Sequence, residues 1–383
     1  MTTVIHSFPV WLPQTQTWLY NQVRFLPADV ACHVVCGRTE NLGQFGMANI
    51  HALREHSVPR YYWDKGLVKL GLRSHSGYLL ERIRTLSADL VHSHFGNIAW
   101  RDMHACAKAG TAQIATFYGR DVNFLPQSDR RWRERYRELF ASVDRVLCEG
   151  PHMAASVVSL GCPEEKVRVH HLGVSLDDLP FKPRSWDGQG PIRVLIAGSF
   201  REKKGIPFAL EALGRLQGRA ELELTIIGDA DRSASSQEEK RRILETIETS
   251  GLGQRVRLLG YQPHAVFLKE AYAHHLFLAP SITASDGDTE GGAPVSVIEM
   301  AATGMPVIGS RHCDIPGIIE HGVTGMLAEE RDVDGLVACL ERLLDEPQIW
   351  PDMVMKARQH VEQEFDAVLQ GQRLARIYGE IAT

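Results

Sequence analysis

The chain of 383 residues is poor in the features that mark several protein classes. Its seven cysteines are an odd number with no CxxC pair, so neither a disulfide framework nor a zinc site is suggested. No stretch of about 18 apolar residues occurs anywhere, which excludes a membrane-spanning helix. The opening MTTVIHSFPVWLPQTQTW lacks both the basic start and the long apolar run of a signal peptide. A basic excess is also missing: 42 Lys and Arg face 47 Asp and Glu, for a net charge of −5, and a dedicated nucleic-acid binder is not expected. There is no GxxxxGK[ST] phosphate loop and no repeat at a fixed period, which removes P-loop enzymes, solenoids and propellers. The expectation is a cytoplasmic protein without a nucleic-acid partner.

What is present is ordinary globular composition, 44% hydrophobic, 23% charged and 8% aromatic. The length exceeds the roughly 250–300 residues that one core sustains, so two domains are expected. The charge is unevenly shared. Residues 1–185 carry 22 Lys and Arg against 17 Asp and Glu, and the remainder carry 20 against 30. Such asymmetry hints at an anionic partner, a membrane surface for example, for the first half.

Short β-branched runs alternate with segments of helical period, the pattern of parallel sheets with crossover helices. Strands are predicted at 4–9, 30–36, 89–95, 113–119, 144–150 and 166–173, then at 192–200, 222–229, 255–261, 275–281 and 306–310. The Pro-, Gly- and Asp-rich stretch 175–192 separates the two sets. Residues 355–381 read as one or two terminal helices.

Chemistry concentrates in two segments of the second half. In AGSFREKKGIPFALEAL (197–213) a strand ends at Gly198-Ser199 and turns through Arg201, Lys203 and Lys204 into a helix. A helix start offers unpaired N–H groups and a positive dipole end, and the cations add to it, so an anion such as phosphate fits. In SDGDTEGGAPVSVIEMAATG (285–304) the glycines allow close backbone approach and Pro294 suits a first helical turn. Asp286, Asp288, Glu290 and Glu299 gather there. Carboxylates repel phosphate, so they suit the hydroxyls of a sugar or ribose; a divalent-metal loop or simple loop capping are the other readings of the Asp286–Asp288 triplet.

These two segments, in this order and on twin α/β units, resemble the retaining nucleotide-sugar glycosyltransferases of the GT-B fold, family four. TASDGDTEGGAPVSVIE, RHCDIPGIIEHGVTG (311–325) and VHSHFG (91–96) are similar to stretches in the subgroup that builds exopolysaccharides of the colanic acid and amylovoran kind. The resemblance implies an α/β fold of two Rossmann-like domains facing across a cleft. Residues 1–185 would bind acceptor, 186–360 would bind nucleotide sugar, and a terminal helix, 361–383, would pack back on the first domain. It implies hexosyl transfer from a UDP- or GDP-linked sugar to a glycan or lipid-diphosphate-linked acceptor, with retention, no cofactor and no required metal.

By position, Lys204, Arg201 and Glu290 would be catalytic. Gly198, Ser199, Asp288, Gly291, Gly292, Ala293, Pro294, Val295, Glu299 and Tyr118 would bind donor, and Gln14, Thr15 and His94 would lie on the acceptor side. The chain departs from the pattern three times. Ser199 stands where much of the family has arginine, eight residues rather than seven separate Glu290 from Glu299, and Tyr118 replaces the histidine of a T-[FV]-H-G-x-D motif. A catalytically silent partner subunit and a nucleotide-sugar epimerase are therefore alternatives. His94 has a second reading as a buried, hydrogen-bonded ring. In DRRWRERYRELF (129–140) an apolar helical face is flanked by five arginines; it either packs inward or meets an anionic membrane.

Overall fold

The computed structural model describes every residue except Gln14, Thr15, Thr17, Ser74, His75 and Thr383. It consists of two compact units, Met1–Ser175 with Asp366–Thr383, and Leu176–Phe365.

The first unit is built on seven strands: β1 (Thr2–Trp11), β2 (Val30–Thr39), β3 (Ile50–Ala52), β4 (Leu90–His94), β5 (Ala112–Thr116), β6 (Arg145–Cys148) and β7 (Val167–Val169). The second has β8 (Ile192–Ala197), β9 (Leu222–Ile227), β10 (Val256–Leu258), β11 (Leu276–Ala279), β12 (Val307–Ser310) and β13 (Met326–Ala328). All pairings are parallel. The orders are β3-β2-β1-β4-β5-β6-β7 and β10-β9-β8-β11-β12-β13. Sheets of this kind are covered on both faces, which is why their strands read as apolar runs rather than as alternation. In each sheet the order reverses beside the first strand, between β1 and β4 and between β8 and β11. Loops at the carboxyl ends of such strand pairs form the natural ligand crevice of a doubly wound sheet.

The core of the second unit gathers Leu210, Leu213, Ile226, Leu278, Ile308 and Leu340 around Trp350, whose indole donates to Leu343 O at 2.9 Å. In the first unit, Val4, Leu90, Ile114 and Leu147 of four strands meet Leu374 and Tyr378 of the C-terminal helix Ala367–Gly379. That helix approaches closely because it is glycine that faces the neighbouring backbone. A Cβ on Gly371 would stand 2.1 Å from Phe25 O, and one on Gly173 would stand 2.5 Å from Ala367 Cα.

The structure differs from the sequence reading in two places. The three-residue strands β3 and β13 lie at sheet edges and are too short to display any period. The change of unit comes at Ser175/Leu176, ten residues before the expected cut. Lys182 N–H donates to Thr303 O and Arg184 N–H to Gly304 O, each at 2.9 Å, and the buried Arg184 guanidinium donates to Ala271 O at 2.9 Å. The Pro-rich stretch is thus fastened to the second unit by capping the helix Val295–Thr303.

Gly371→Ala is expected to destabilise the fold by about 2–3 kcal/mol through backbone overpacking. The readout is the urea midpoint of the intact chain, and an unchanged midpoint would show that the helix can shift at no cost.

Candidate active site

Two loops leave the carboxyl ends of the neighbouring strands β8 and β11 and are stitched together along their length. Gly205 lies between them at φ +62°, and a Cβ there would stand 1.9 Å from Pro280 O; only glycine allows this turn to touch the other loop. Ile282 N–H donates to Lys203 O at 2.8 Å. The Glu202 carboxylate accepts from Ser285 N–H at 3.0 Å and from its hydroxyl at 2.6 Å. Lys203 Nζ donates to Thr289 O at 2.7 Å and to Asp288 Oδ1 at 3.3 Å.

At the centre Lys204 Nζ reaches both oxygens of Glu290, at 2.8 and 2.9 Å, and Ser281 Oγ donates to Glu290 Oε1 at 2.8 Å. Burial pushes the Glu290 carboxyl up, but the charges of Lys204 and Lys203 and the two hydrogen bonds outweigh it and hold the group at about 2. Glu290 is therefore ionised at neutral pH. Lys204 lines a small cavity with Ser281, Pro294 and Ser296, at the start of the helix Val295–Thr303. The first amides used inside that helix are those of Val297 and Ile298, both to Pro294 O, so the N–H groups of Val295 and Ser296 stand outside the ladder.

The backing of the site was not visible in the sequence. His312, 1% exposed, accepts Glu290 N–H on Nε2 at 3.1 Å, which makes Nδ1 the protonated nitrogen, and that donates to Glu330 Oε1 at 2.6 Å. Glu330 also accepts Thr283 N–H at 2.7 Å. Glu299 pairs with His264 Nε2 at 2.8 Å; burial lowers that imidazole, the Glu299 carboxylate raises it more, and its affinity for a proton is higher than usual. A lone histidine in RHCD or QPHA carries no signal that could have announced either pair.

The structure brings Lys204, Glu290, Gly198 and Pro294 together and qualifies other expected roles. Arg201 is engaged by Asp231 at 3.0 Å and lies 3.9 Å from Asp288. Asp288 is held by Lys203 rather than open to solvent, and Asp286 caps the loop by accepting Asp288 N–H at 2.9 Å. The Gly291 amide is taken by Thr289 Oγ1 at 3.1 Å, which leaves later amides for an anion. Ser199, Gly292 and Ala293 sit in the same two loops. Gln14 and Thr15 lie outside the described residues.

In the first unit, Tyr118 and His94 belong to a buried chain of hydrogen bonds. Tyr118 Oη meets His94 Nδ1 at 2.6 Å, and His94 Nε2 meets His6 Nδ1 at 3.0 Å. His6 Nε2 meets Tyr378 Oη at 3.3 Å, Tyr378 Oη meets His92 Nδ1 at 2.7 Å, and His92 Nε2 meets Thr116 Oγ1 at 2.6 Å. Burial pushes all three imidazoles down, His6 to about 3, so each ring is neutral and offers one donor and one acceptor. The direction of one bond then dictates the next. His94, 1% exposed, lies behind Tyr118 instead of lining the acceptor side, and any effect it has passes through that tyrosine.

Among the described residues this trio is the one group of side chains near enough to share a metal ion. Every ring nitrogen of the trio already has a hydrogen-bond partner, and the His92 and His94 rings stack at 4.2 Å and 25°.

Two parallel sheets of Rossmann order, with a cation–carboxylate pair and a helix start at the switch point of the second, define an α/β enzyme of the GT-B class. The sequence profile described as Glycosyl transferases group 1 matches residues 191–346, and that described as Glycosyltransferase Family 4 matches residues 15–178. The chain is 34% identical over 303 residues to the amylovoran biosynthesis glycosyltransferase AmsK of Erwinia amylovora, covering 78% of this chain and 72% of that protein. It is 32% identical over 275 residues to WcaL of Salmonella typhimurium, assigned as a colanic acid biosynthesis glycosyltransferase, covering 69% of this chain and 64% of that one. The fold matches Anabaena HepE in complex with UDP and glucose at a TM-score of 0.78, with 16% identity over 99% of this chain and 100% of that one. It matches sucrose-phosphate synthase of Thermosynechococcus elongatus at 0.75, with 17% identity over 99% of each. The chain belongs to the group 1, family 4 glycosyltransferases, and it is a transferase.

Two outcomes follow from this geometry. Glu290, depressed to about 2, contributes stability that is present above the ordinary carboxylate range and lost as pH falls through about 2. Lys204→Met strips its main counter-charge, so the variant is expected to lose about 3 kcal/mol at pH 7 and less at pH 5, where Glu290 can take a proton; urea titrations at the two pH values would show an equal deficit if the pair were unimportant. Tyr378→Phe leaves His92 Nδ1 and His6 Nε2 without a partner and is expected to cost about 1–3 kcal/mol in the same assay.

Proposed function

We propose that the enzyme transfers a hexosyl group from a UDP- or GDP-linked sugar to a glycan or lipid-diphosphate-linked acceptor in exopolysaccharide assembly, with retention and without a required metal. The observation that carries this reading is the part-buried Lys204–Glu290 pair beside the start of the helix Val295–Thr303. The exopolysaccharide context comes from AmsK and WcaL, named for amylovoran and colanic acid. A nucleotide-sugar donor is supported by HepE, a fold relative solved with UDP-glucose.

In this scheme the donor diphosphate sits against Lys204 and the amides of Val295 and Ser296, with Arg201 swinging from Asp231 to join them. Charge on the phosphate grows as the sugar C1–O bond breaks, and cations already fixed in place stabilise that state more than the ground state. The acceptor oxygen forms its bond to C1 on the face the phosphate leaves, and its proton passes to the departing phosphate oxygen. No side-chain nucleophile takes part. The ionised Glu290 offsets positive charge developing on the sugar ring, and Glu299 accepts the ribose hydroxyls.

Thermal shifts with UDP, GDP and ADP would identify the base, since stabilisation follows affinity. With the matching nucleotide sugar, Lys204→Ala is expected to slow nucleotide release by about 10²–10³-fold while circular dichroism stays native, and a chelator should leave the wild-type rate unchanged. Near-normal release by Lys204→Ala would remove that residue from the reaction.

A further inference from the structure

A surface helix ordinarily buries its apolar stripe and turns its charges to water. The helix Val58–Lys69 departs from this: it sets Tyr61 into the core but leaves most of its large apolar side chains outside. Its buried positions are Tyr61 and Asp64, and the Asp64 carboxylate accepts from Arg73 Nη1 at 2.9 Å and from Tyr78 N–H at 3.1 Å. The inner face is thus fastened by a polar network. At 100° per residue Tyr62, Trp63 and Leu70 fall on the other side, and they are 61%, 66% and 74% exposed. Leu72, in the turn that follows, is 72% exposed and Val58, at the helix start, 50%. Five large apolar side chains within fifteen residues thus face outward together, more than scattered surface apolars account for.

The exposed charges on the outer side of the helix itself, Lys65 and Lys69, are positive, while Arg60 is paired with Glu81 at 2.5 Å. The single acidic residue of the stretch from Val58 to Arg73 is Asp64, buried and paired inward. Trp and Tyr seat at the boundary of headgroup and hydrocarbon, leucines reach past it, and lysines snorkel to anionic headgroups.

We propose that this face is where the protein rests on an anionic lipid bilayer. The occupant is a lipid surface rather than a protein because the patch combines interfacial aromatics with the exposed ammonium groups of Lys65, which leans on the Tyr61 hydroxyl at 2.5 Å, and Lys69, in the manner that bilayer interfaces select. The arginine-rich helix Arg131–Ser142, which the sequence offered for this role, is less suited. Its Trp132, Tyr136, Leu139 and Phe140 are buried, and Arg135 stacks on Trp100 and Trp132 at 4.6 and 4.7 Å, so it has no apolar side to insert. No helix among the described residues is long and apolar enough to cross a membrane, and the seat is interfacial. The inference is independent of the nucleotide site, and its test is read apart from donor turnover.

The test is sedimentation of the full chain with vesicles of phosphatidylcholine containing one quarter phosphatidylglycerol, and with phosphatidylcholine alone. The wild type is expected to bind the anionic vesicles, and less so at high salt. The triple variant Trp63→Ser/Leu70→Ser/Leu72→Ser should lower binding at least about tenfold, and Lys65→Gln/Lys69→Gln several-fold. A native circular-dichroism spectrum and an unchanged urea midpoint would certify that both variants are folded. No binding to anionic vesicles, equal binding to neutral ones, or wild-type binding by the triple variant would each overturn the proposal. So would loss of binding only when Arg130, Arg131 and Arg137 are replaced. A dimer in solution that the triple variant dissociates, with vesicle binding unaffected, would reassign the face to a second copy of the chain.

Discussion

Everything around the candidate site depends on one part-buried ion pair. Placing Glu290 and Lys204 inside the protein sacrifices the hydration of both charges, and such pairs often contribute little net stability. Here the pair joins the other contacts that tie the two loops together. The turn after β8 and the long loop after β11 contain little secondary structure, yet Gly205 brings them into contact, Lys203 grips one backbone carbonyl, and His312 grips the Glu290 amide from behind. A cation fixed by this much structure needs no rearrangement when an anion arrives, and that is what makes it useful for stabilising charge that appears during a reaction.

The first unit solves the burial of polar groups differently. His6, His92 and His94 are more deeply buried than Glu290 but carry no charge, because no acidic partner is near and burial pushes their protons off. Two tyrosines and a threonine close the hydrogen-bonding demand. One of those tyrosines, Tyr378, comes from the far end of the chain. The network is local in space and spans almost the whole sequence, so it couples the position of Tyr118 to the docking of the last helix.

Much of the fold could be read from residue order, since parallel strands buried on both faces appear as apolar runs of fixed length and their helices keep a separate period. The failures have physical reasons. Ile50–Ala52 and Met326–Ala328 are edge strands of three residues, too short for any pattern, and the interdomain stretch looked like a linker because Pro and Gly break periodicity whether or not the backbone is tied down. Arg184, seven-per-cent exposed, is what ties it. At the site, Lys204 and Glu290 were legible because family-like motifs surround them. Ser281, His264, His312 and Glu330 were not, because each acts through a contact distant in sequence and each is an ordinary residue in its own segment. The arginine-rich helix kept two readings for a related reason: an amphipathic pattern tells that one face is apolar, not whether that face meets the core or something outside, and here it meets the core.

The return of residues 366–383 to the first unit also sets a schedule. The second unit is one uninterrupted stretch and has all of its residues as soon as Phe365 leaves the ribosome. The first unit has its strands early, but the face formed by Val4, Leu90, Ile114 and Leu147 waits for Leu374 and Tyr378. At about 5–20 residues per second of synthesis, the 226 residues between Leu147 and Leu374 amount to a delay on the order of tens of seconds. During that interval the nascent chain carries an open apolar sheet face, and the half made first is the half completed last.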